Sequence, residues 1–258
     1  TTIVRWKYCW LAAGWLRAIY YNQHTWGGVT VLASGADVEL SNVSVRDVKR
    51  SAEGKDFIDA AVFIHDANVR IDHVTIENTQ TEDGLNLFSS RFDIRSLNIQ
   101  NTKSDALDID FGDGVIDGFM VRNSGGDALD LSGTKLRASN LDFADVHDKG
   151  ISVGEVSNAE LSNVRITRAG TAVVSKDLSL TRIKGIILES IKNNALMAYS
   201  KKPEYGPGTL HAEGVTQTNV RGLAVAQSKS VVTIDGNVVE AVDLDVDSLY
   251  QTGYMKKN

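Results

Sequence analysis

Cysteine is almost missing from this chain. Cys9 is the only one in 258 residues, which excludes an internal disulfide and a cysteine-built metal cluster. Proline occurs twice, at Pro203 and Pro207. No apolar run reaches the ~18 residues of a membrane-spanning helix. Residues 11–19 are apolar, but Gly14 and Arg17 interrupt them. Basic charge is not in surplus: 27 Lys and Arg face 33 Asp and Glu, a net charge of −6. That balance argues against nonspecific binding of nucleic acid. The chain does not begin with Met, and a processed or trimmed product is the expectation. Helical periodicity is also lacking, since no apolar stripe at three and four residues outlasts a turn.

What is present is a repeat. Ile71, Ile94, Ile116, Ala138, Leu161 and Ile183 follow one another at spacings of 22 or 23 residues. Three residues after each stands a second apolar residue, Val74, Leu97, Phe119, Leu141, Val164 and Ile186. Two further on stands a third, Ile76, Ile99, Val121, Phe143, Ile166 and Leu188. Recurrence at this period marks a solenoid. Within one unit, short runs with period-2 alternation are separated by Asn, Asp, Gly and Thr, which predicts strands joined by tight turns. The predicted fold is all-β, a right-handed parallel β-helix whose coils stack ~4.8 Å apart.

Stacking turns sequence columns into ladders. Leu85, Leu107, Leu129 and Ile151 form one inward ladder, and Leu87, Ile109, Leu131 and Val153 another. Asn78, Asn101 and Asn123 form a turn column, expected to be a structural ladder whose amides satisfy backbone groups. An earlier coil is legible around Val38, Leu40, Val43 and Val45, with a charged loop over 49–59 before the next. A second loop, 200–208, carries both prolines and Tyr205, a candidate binding residue. The tail, through 231–234 and 243–250, is expected to close the last coil. Residues 1–26 hold all four tryptophans. They predict an aromatic cap over the first coil, with 27–258 as the β-helix domain, or a contact surface for a partner domain or subunit through Trp6, Trp10 and Trp15.

The most suggestive chemistry is acidic. Asn86, Asp108, Asp130 and Ser152 fall between inward ladder residues, so they face outward at equivalent places in successive coils. Asp83, Asp105 and Asp127 mark the turn before them, and Asp110 extends the patch. Carboxylates stacked ~5 Å apart raise one another's pKa, and three readings of them compete. They are solvated or bonded to turn amides. They bind Ca²⁺ through Asp108, Asp110 and Asp130. Or Asp108 and Asp130 serve as acid and base on a polysaccharide, with Asp105 and Asp127 helping to bind it. Lys149 lies one coil above Asp127 and suits either a counter-charge or a catalytic base. Lys176 and Arg182 are further candidates for substrate contact or for the C5 base of a uronate lyase. His147, beside Asp148, is the one histidine near this face. No zinc-ligand spacing, phosphate loop, dinucleotide fingerprint or serine elbow occurs.

These elements resemble a group of bacterial extracellular right-handed β-helix repeat proteins of the CotH-kinase-associated type, within the pectate-lyase-like superfamily. The resemblance spans roughly residues 26–250. It rests on Asp105-Ala106-Leu107-Asp108, Asp127-Ala128-Leu129-Asp130, the run from Asp148 to Glu155, Ser175-Lys176-Asp177-Leu178 and the run from Lys201 to Pro207. It implies a secreted, periplasmic or cell-surface protein that binds or processes polysaccharide, with no reaction assigned. The wider superfamily includes Ca²⁺-dependent lyases and epimerases. Arg182-Ile183-Lys184 matches a triplet of the pectin-hydrolysing members, but their Gly-His-Gly element is absent. A noncatalytic scaffold that positions a partner domain is the competing expectation.

Overall fold

Each repeat closes one turn of a right-handed parallel β-solenoid with coils of about 23 residues. The computed structural model describes residues 15–21, 25–49, 59–251 and 255, with side chains from residue 26 onward. Every coil contributes three short runs, and runs from successive coils pair in parallel to build three long faces. The first face contains 60–65, 83–88, 105–110, 129–132, 149–154, 171–176 and 194–199. The second contains 68–72, 91–95, 113–117, 135–139, 158–162 and 180–184. The third contains 74–77, 97–102, 119–124, 141–146, 164–167 and 186–189.

The repeat of the sequence is the register of the sheet. Ile71 pairs with Ile94, Ile94 with Ile116, Ile116 with Ala138, Ala138 with Leu161, and Leu161 with Ile183. All six are almost wholly buried. Each apolar side chain touches its equivalents one coil above and below, so burial at ~25 cal/mol per Å² is repeated along the axis.

Corners are set by residues that tolerate positive φ. Asn78, Asn101 and Asn123 have φ of 57°, 55° and 59°, where asparagine costs less than most residues. Their amides bond to one another: Asn101 Nδ2 donates to Asn78 Oδ1 (3.1 Å), and Asn123 Nδ2 to Asn101 Oδ1 (2.9 Å). The predicted ladder exists, but its partners are neighbouring amides rather than turn backbone. Asn101→Ala forfeits both bonds and strains the corner, and should cost about 1–2 kcal/mol in chemical denaturation.

The ends depart from the sequence reading. β1 (Trp15–Tyr21) pairs antiparallel with the start of β2 (Thr25–Ser41). Trp26 is 2% exposed, and its Nε1 donates to Arg46 O. It is a core residue of the first coil, not part of a presented surface. Trp6 and Trp10 lie outside the described residues, and of Trp15 only the backbone, paired with Leu32, is described. No tryptophan cluster forms among the described residues, so the expected partner surface on Trp6, Trp10 and Trp15 does not stand. Most of the loop expected at 49–59, and most of the proposed cap, also fall outside the described residues. Among the described residues no helix is long and apolar enough to cross a membrane.

At the other end, 231–234 pair with 209–212. The tail then does something the sequence did not suggest. A short helix, α1 (Val246–Gln251), lies on the outside of the first face. Val246 and Met255 pack there with Val174, Met197 and Tyr199 into a second apolar cluster, with Leu249 and Tyr250 at its edge.

Candidate functional site

The outer side of the first face carries the acidic column. Along it Phe63, Asn86, Asp108, Asp130 and Ser152 are successive register partners, and His65, Phe88 and Asp110 form the neighbouring column. Alternation along each strand turns these residues outward while Leu85, Leu107, Leu129 and their i+2 neighbours fill the core. Asp108 and Asp130 are thus adjacent on one outer surface, as the repeat requires.

The turn column behaves differently. Asp105 Oδ1 accepts the backbone N–H of Asp127 (2.6 Å), and Asp127 Oδ1 accepts that of Lys149 (2.9 Å). Asp105 and Asp127 therefore hold successive coils together, which is the turn-amide reading of the acidic residues. The Lys149 ammonium lies 3.1 and 3.3 Å from the two Asp127 oxygens and 2.5 Å from Asp148 Oδ2, and the residue is only 3% exposed. Desolvation pulls its pKa down, but Asp127 and Asp148 more than reverse this, and the net shift is upward. Burial pushes the Asp127 carboxyl up, against the opposing pull of Lys149. Lys149 is a fixed counter-ion for this corner.

A second buried lysine serves the acidic column itself. Lys176 reaches down across Gly154 to place Nζ 2.6 Å from Ser152 Oγ and 3.8 Å from Asp130 Oδ1. A Cβ on Gly154 would come within 2.8 Å of Lys176 Cε, so the glycine leaves the channel in which the side chain lies. Burial lowers the Lys176 pKa and Asp130 raises it, with a net upward shift.

The Asp108 carboxyl is strongly perturbed. Burial first, then the charges of Asp83, Asp130, Asp110 and Asp105, push it well above the usual carboxylate range. Asp110 is raised for the same leading reason. Asp83 is pushed up to about 8, again chiefly by burial, with Asn86 opposing and Asp105, Glu82 and Asp110 reinforcing. Asn86 Nδ2 bridges Asp83 Oδ2 (3.2 Å) and Asp108 Oδ2 (3.0 Å), while its buried Oδ1 has no hydrogen-bond partner. A carboxyl with a raised folded pKa contributes its full stability below the unfolded value and loses it as pH rises through the folded value. For Asp83 that window runs from about 4 to about 8. Asp83→Asn should leave thermal stability unchanged near pH 4 and raise it near pH 8. An equal shift at both pH values would contradict the burial of this carboxyl.

Aromatic rings run beside the acids. His65 and Phe88 have centroids 5.5 Å apart, and Phe88 and Phe111 5.6 Å apart. Phe111 is 60% exposed. The 23-residue spacing of His65, Phe88 and Phe111 was a legible signal of this ladder, but outward aromatics interrupt no core pattern. The loop 200–208 is anchored by Asp177 Oδ1, which accepts the N–H groups of Lys201 and Lys202 (2.7 Å each). It also pairs Lys202 Nζ with Glu155 Oε1 and carries the exposed Tyr205. Beyond Ser152, Tyr250 of α1 shares a 2.6 Å contact between its hydroxyl and that of Tyr199, and Lys201 Nζ sits 4.2 Å from the Tyr250 ring centroid.

Two expected residues are elsewhere. Arg182 pairs in register with Glu160 on the second face, where it lines a separate hollow with Arg137 and Lys184. His147 lies on a corner cleft of about 700 Å³ with Asp145, Arg168 and Lys192. The Asp145 carboxylate in that cleft is committed to the Arg168 guanidinium, at 2.6 and 2.7 Å. Asp108, Asp110 and Asp130 do share one face, but among the described residues no group of three or more His, Cys, Asp or Glu is placed to hold a metal ion. One positive charge beside Asp130 is the Lys176 ammonium, at 3.8 Å.

No family model matches the chain, and no curated protein does. Similar solved structures include full-length tailspike protein 2 from Escherichia coli O157:H7 bacteriophage CAB120, at 11% identity and a TM-score of 0.46, covering 81% of this chain and 40% of that one. A variant of the catalytic domain of a GH87 α-1,3-glucanase in complex with nigerose is similar at 12% identity and a TM-score of 0.34, over 81% of this chain and 58% of that one. The chain thus spans about half the length of these structures. Its own register establishes what it is: a right-handed parallel β-solenoid with an acidic outer column on one face.

Proposed function

We propose that the outer side of the first face binds a neutral polysaccharide and hydrolyses it. The observation that carries this reading is the pairing of unlike carboxyls on one surface. Asp108 is pushed toward its protonated form by burial and by its acidic neighbours. Asp130, one coil away, has an ammonium 3.8 Å off that stabilises negative charge on it. Environments that set two carboxyls apart in this way suit one to donate a proton and the other to act as a carboxylate nucleophile. Asp108 protonates the glycosidic oxygen as its bond to the anomeric carbon breaks. Asp130, a direct register partner about 5 Å away, attacks that carbon to form a glycosyl ester. A water that gives its proton to the Asp108 carboxylate then cleaves the ester and frees Asp130. The His65, Phe88 and Phe111 rings offer apolar faces against which pyranose rings stack.

The same geometry weighs against uronate elimination. Lys149 is buried on two carboxylates and held protonated, so it does not serve as a C5 base.

Reducing-end release from a panel of neutral glucans, galactans and mannans tests the reading, beside pectate and alginate and with or without Ca²⁺. Release from a neutral polymer, at most weakly dependent on Ca²⁺, is the expected result. Binding and cleavage of none of them would end the reading. Ultraviolet-absorbing unsaturated products from pectate or alginate would replace it with the lyase.

A further inference from the structure

Resting on this hydrolytic reading, we propose that the groove is blind on one side of its acid pair, so that it takes the end of a polysaccharide chain and releases one- or two-sugar products. The outward column that holds Asp108 and Asp130 continues upward as Ser152, Val174 and Met197. None of the last three has any exposed surface. Val174 and Met197 are covered by Val246, Met255 and the flanks of α1. The Ser152 level is taken by the Lys176 ammonium. Open surface therefore stops about one coil, ~5 Å, above Asp130.

The wall at that point is built rather than incidental. The Tyr250 hydroxyl meets that of Tyr199. Its ring lies against Lys201 Nζ, from the loop pinned by Asp177. The charges of Lys176 and Lys149 act on the same hydroxyl. Two separate excursions of the chain, the loop at 200–208 and the tail, thus meet at one place. They bring a hydroxyl and an ammonium, those of Tyr250 and Lys201, to the closed end, groups of the kind that recognise the extra hydroxyl of a terminal sugar.

On the opposite side of the acids the surface carries the ring ladder instead. Phe111 is largely exposed and Phe88 and His65 are half-buried. Rings one coil apart support a chain running along the solenoid axis, entering over His65 and Phe88 and ending at Tyr250. This polarity makes Tyr250 and Lys201 the residues that set product length, while Asp108 and Asp130 break the bond.

The experiment follows products over time from whichever neutral polymer of the panel is cleaved, by size separation and by viscosity. Mono- or disaccharide as the sole early product, with viscosity nearly constant, is the expected result. A ladder of mixed lengths with a rapid fall in viscosity overturns the blind end while leaving hydrolysis standing. No cleavage of any polymer overturns the hydrolytic reading and this proposal together. Tyr250→Ala, in protein that remains folded, should lengthen the products by at least one sugar. If that variant fails to fold, Lys201→Ala, which removes only the cation from the ring, should raise KM for short oligosaccharides several-fold with kcat little changed. Product lengths and KM unchanged in the folded variants would also overturn the blind end.

Discussion

Lys149→Met is expected to destabilise the protein by about 3–5 kcal/mol, the range for removing one partner of a buried ion pair. The ammonium of Lys149 is the only cation bonded to Asp127 among the described residues, and Asp127 is 2% exposed. Removing it leaves Asp127 and Asp148 without their shared counter-ion. The cost should depend on pH. Burial already raises the Asp127 carboxyl to about 7 with the lysine in place, and losing the lysine raises it further. A carboxyl raised in the folded state keeps its contribution at low pH and loses it as pH rises. The variant should therefore approach the wild type near pH 4 and fall furthest behind at pH 8, in denaturant titrations at each pH. Adding Asp127→Asn, which retains an oxygen for the Lys149 backbone N–H, should recover part of the loss. A deficit independent of pH would mean that the packing of the lysine stem, not its charge, holds this corner.

Asp108→Asn is expected to lower kcat by about 10²–10⁴, the usual contribution of a positioned general acid, while leaving the affinity for the uncleaved polymer within a few-fold. Asn cannot donate the proton, yet it keeps the size of the side chain and the oxygen that accepts from Asn86. The structural consequence has the opposite sign. Because the Asp108 carboxyl is raised in the folded protein, its ionisation weighs against folding as pH rises, and the asparagine does not ionise. The variant should equal the wild type in stability at low pH and exceed it above neutrality. Inactivity combined with higher stability is a signature that a purely structural role for Asp108 would not produce. Unchanged turnover, or a loss that tracks unfolding, would remove Asp108 from the chemistry. The wild-type rate should also fall on the alkaline side as Asp108 ionises, later than an ordinary carboxyl would permit.

The ladders were legible because a solenoid maps sequence separation onto a single spatial step. Ile71 to Ile183 could be stacked on paper, and Asp108 and Asp130 with them. The reading of Lys149 as a counter-charge to Asp127 followed from the same arithmetic. Lys176 did not follow as simply, because its side chain reaches two coils down its face to Asp130. Gly154 makes that reach possible, and a glycine inside a strand pattern does not say which lysine will cross it. Arg182 and His147 failed to join the acids because chain order gives the coil but not the face. The tryptophans misled for a related reason: Trp26 is aromatic like its neighbours in sequence, but it belongs to the first coil and points inward.

The sequence by itself determined the period, the inward ladders, the asparagine corners and the stacked acids, since each depends only on which residue stands one coil away. Tertiary structure alone decided where the acidic surface ends and which charges share its field. The covering of Val174, Met197 and Tyr199 by α1, and the meeting of Tyr250 with Lys201, join parts of the chain about 50 to 75 residues apart with no common period. No repeat encodes such contacts. They arise because the apolar residues of the tail and of the upper first face are each left without a partner by the solenoid, and bury one another.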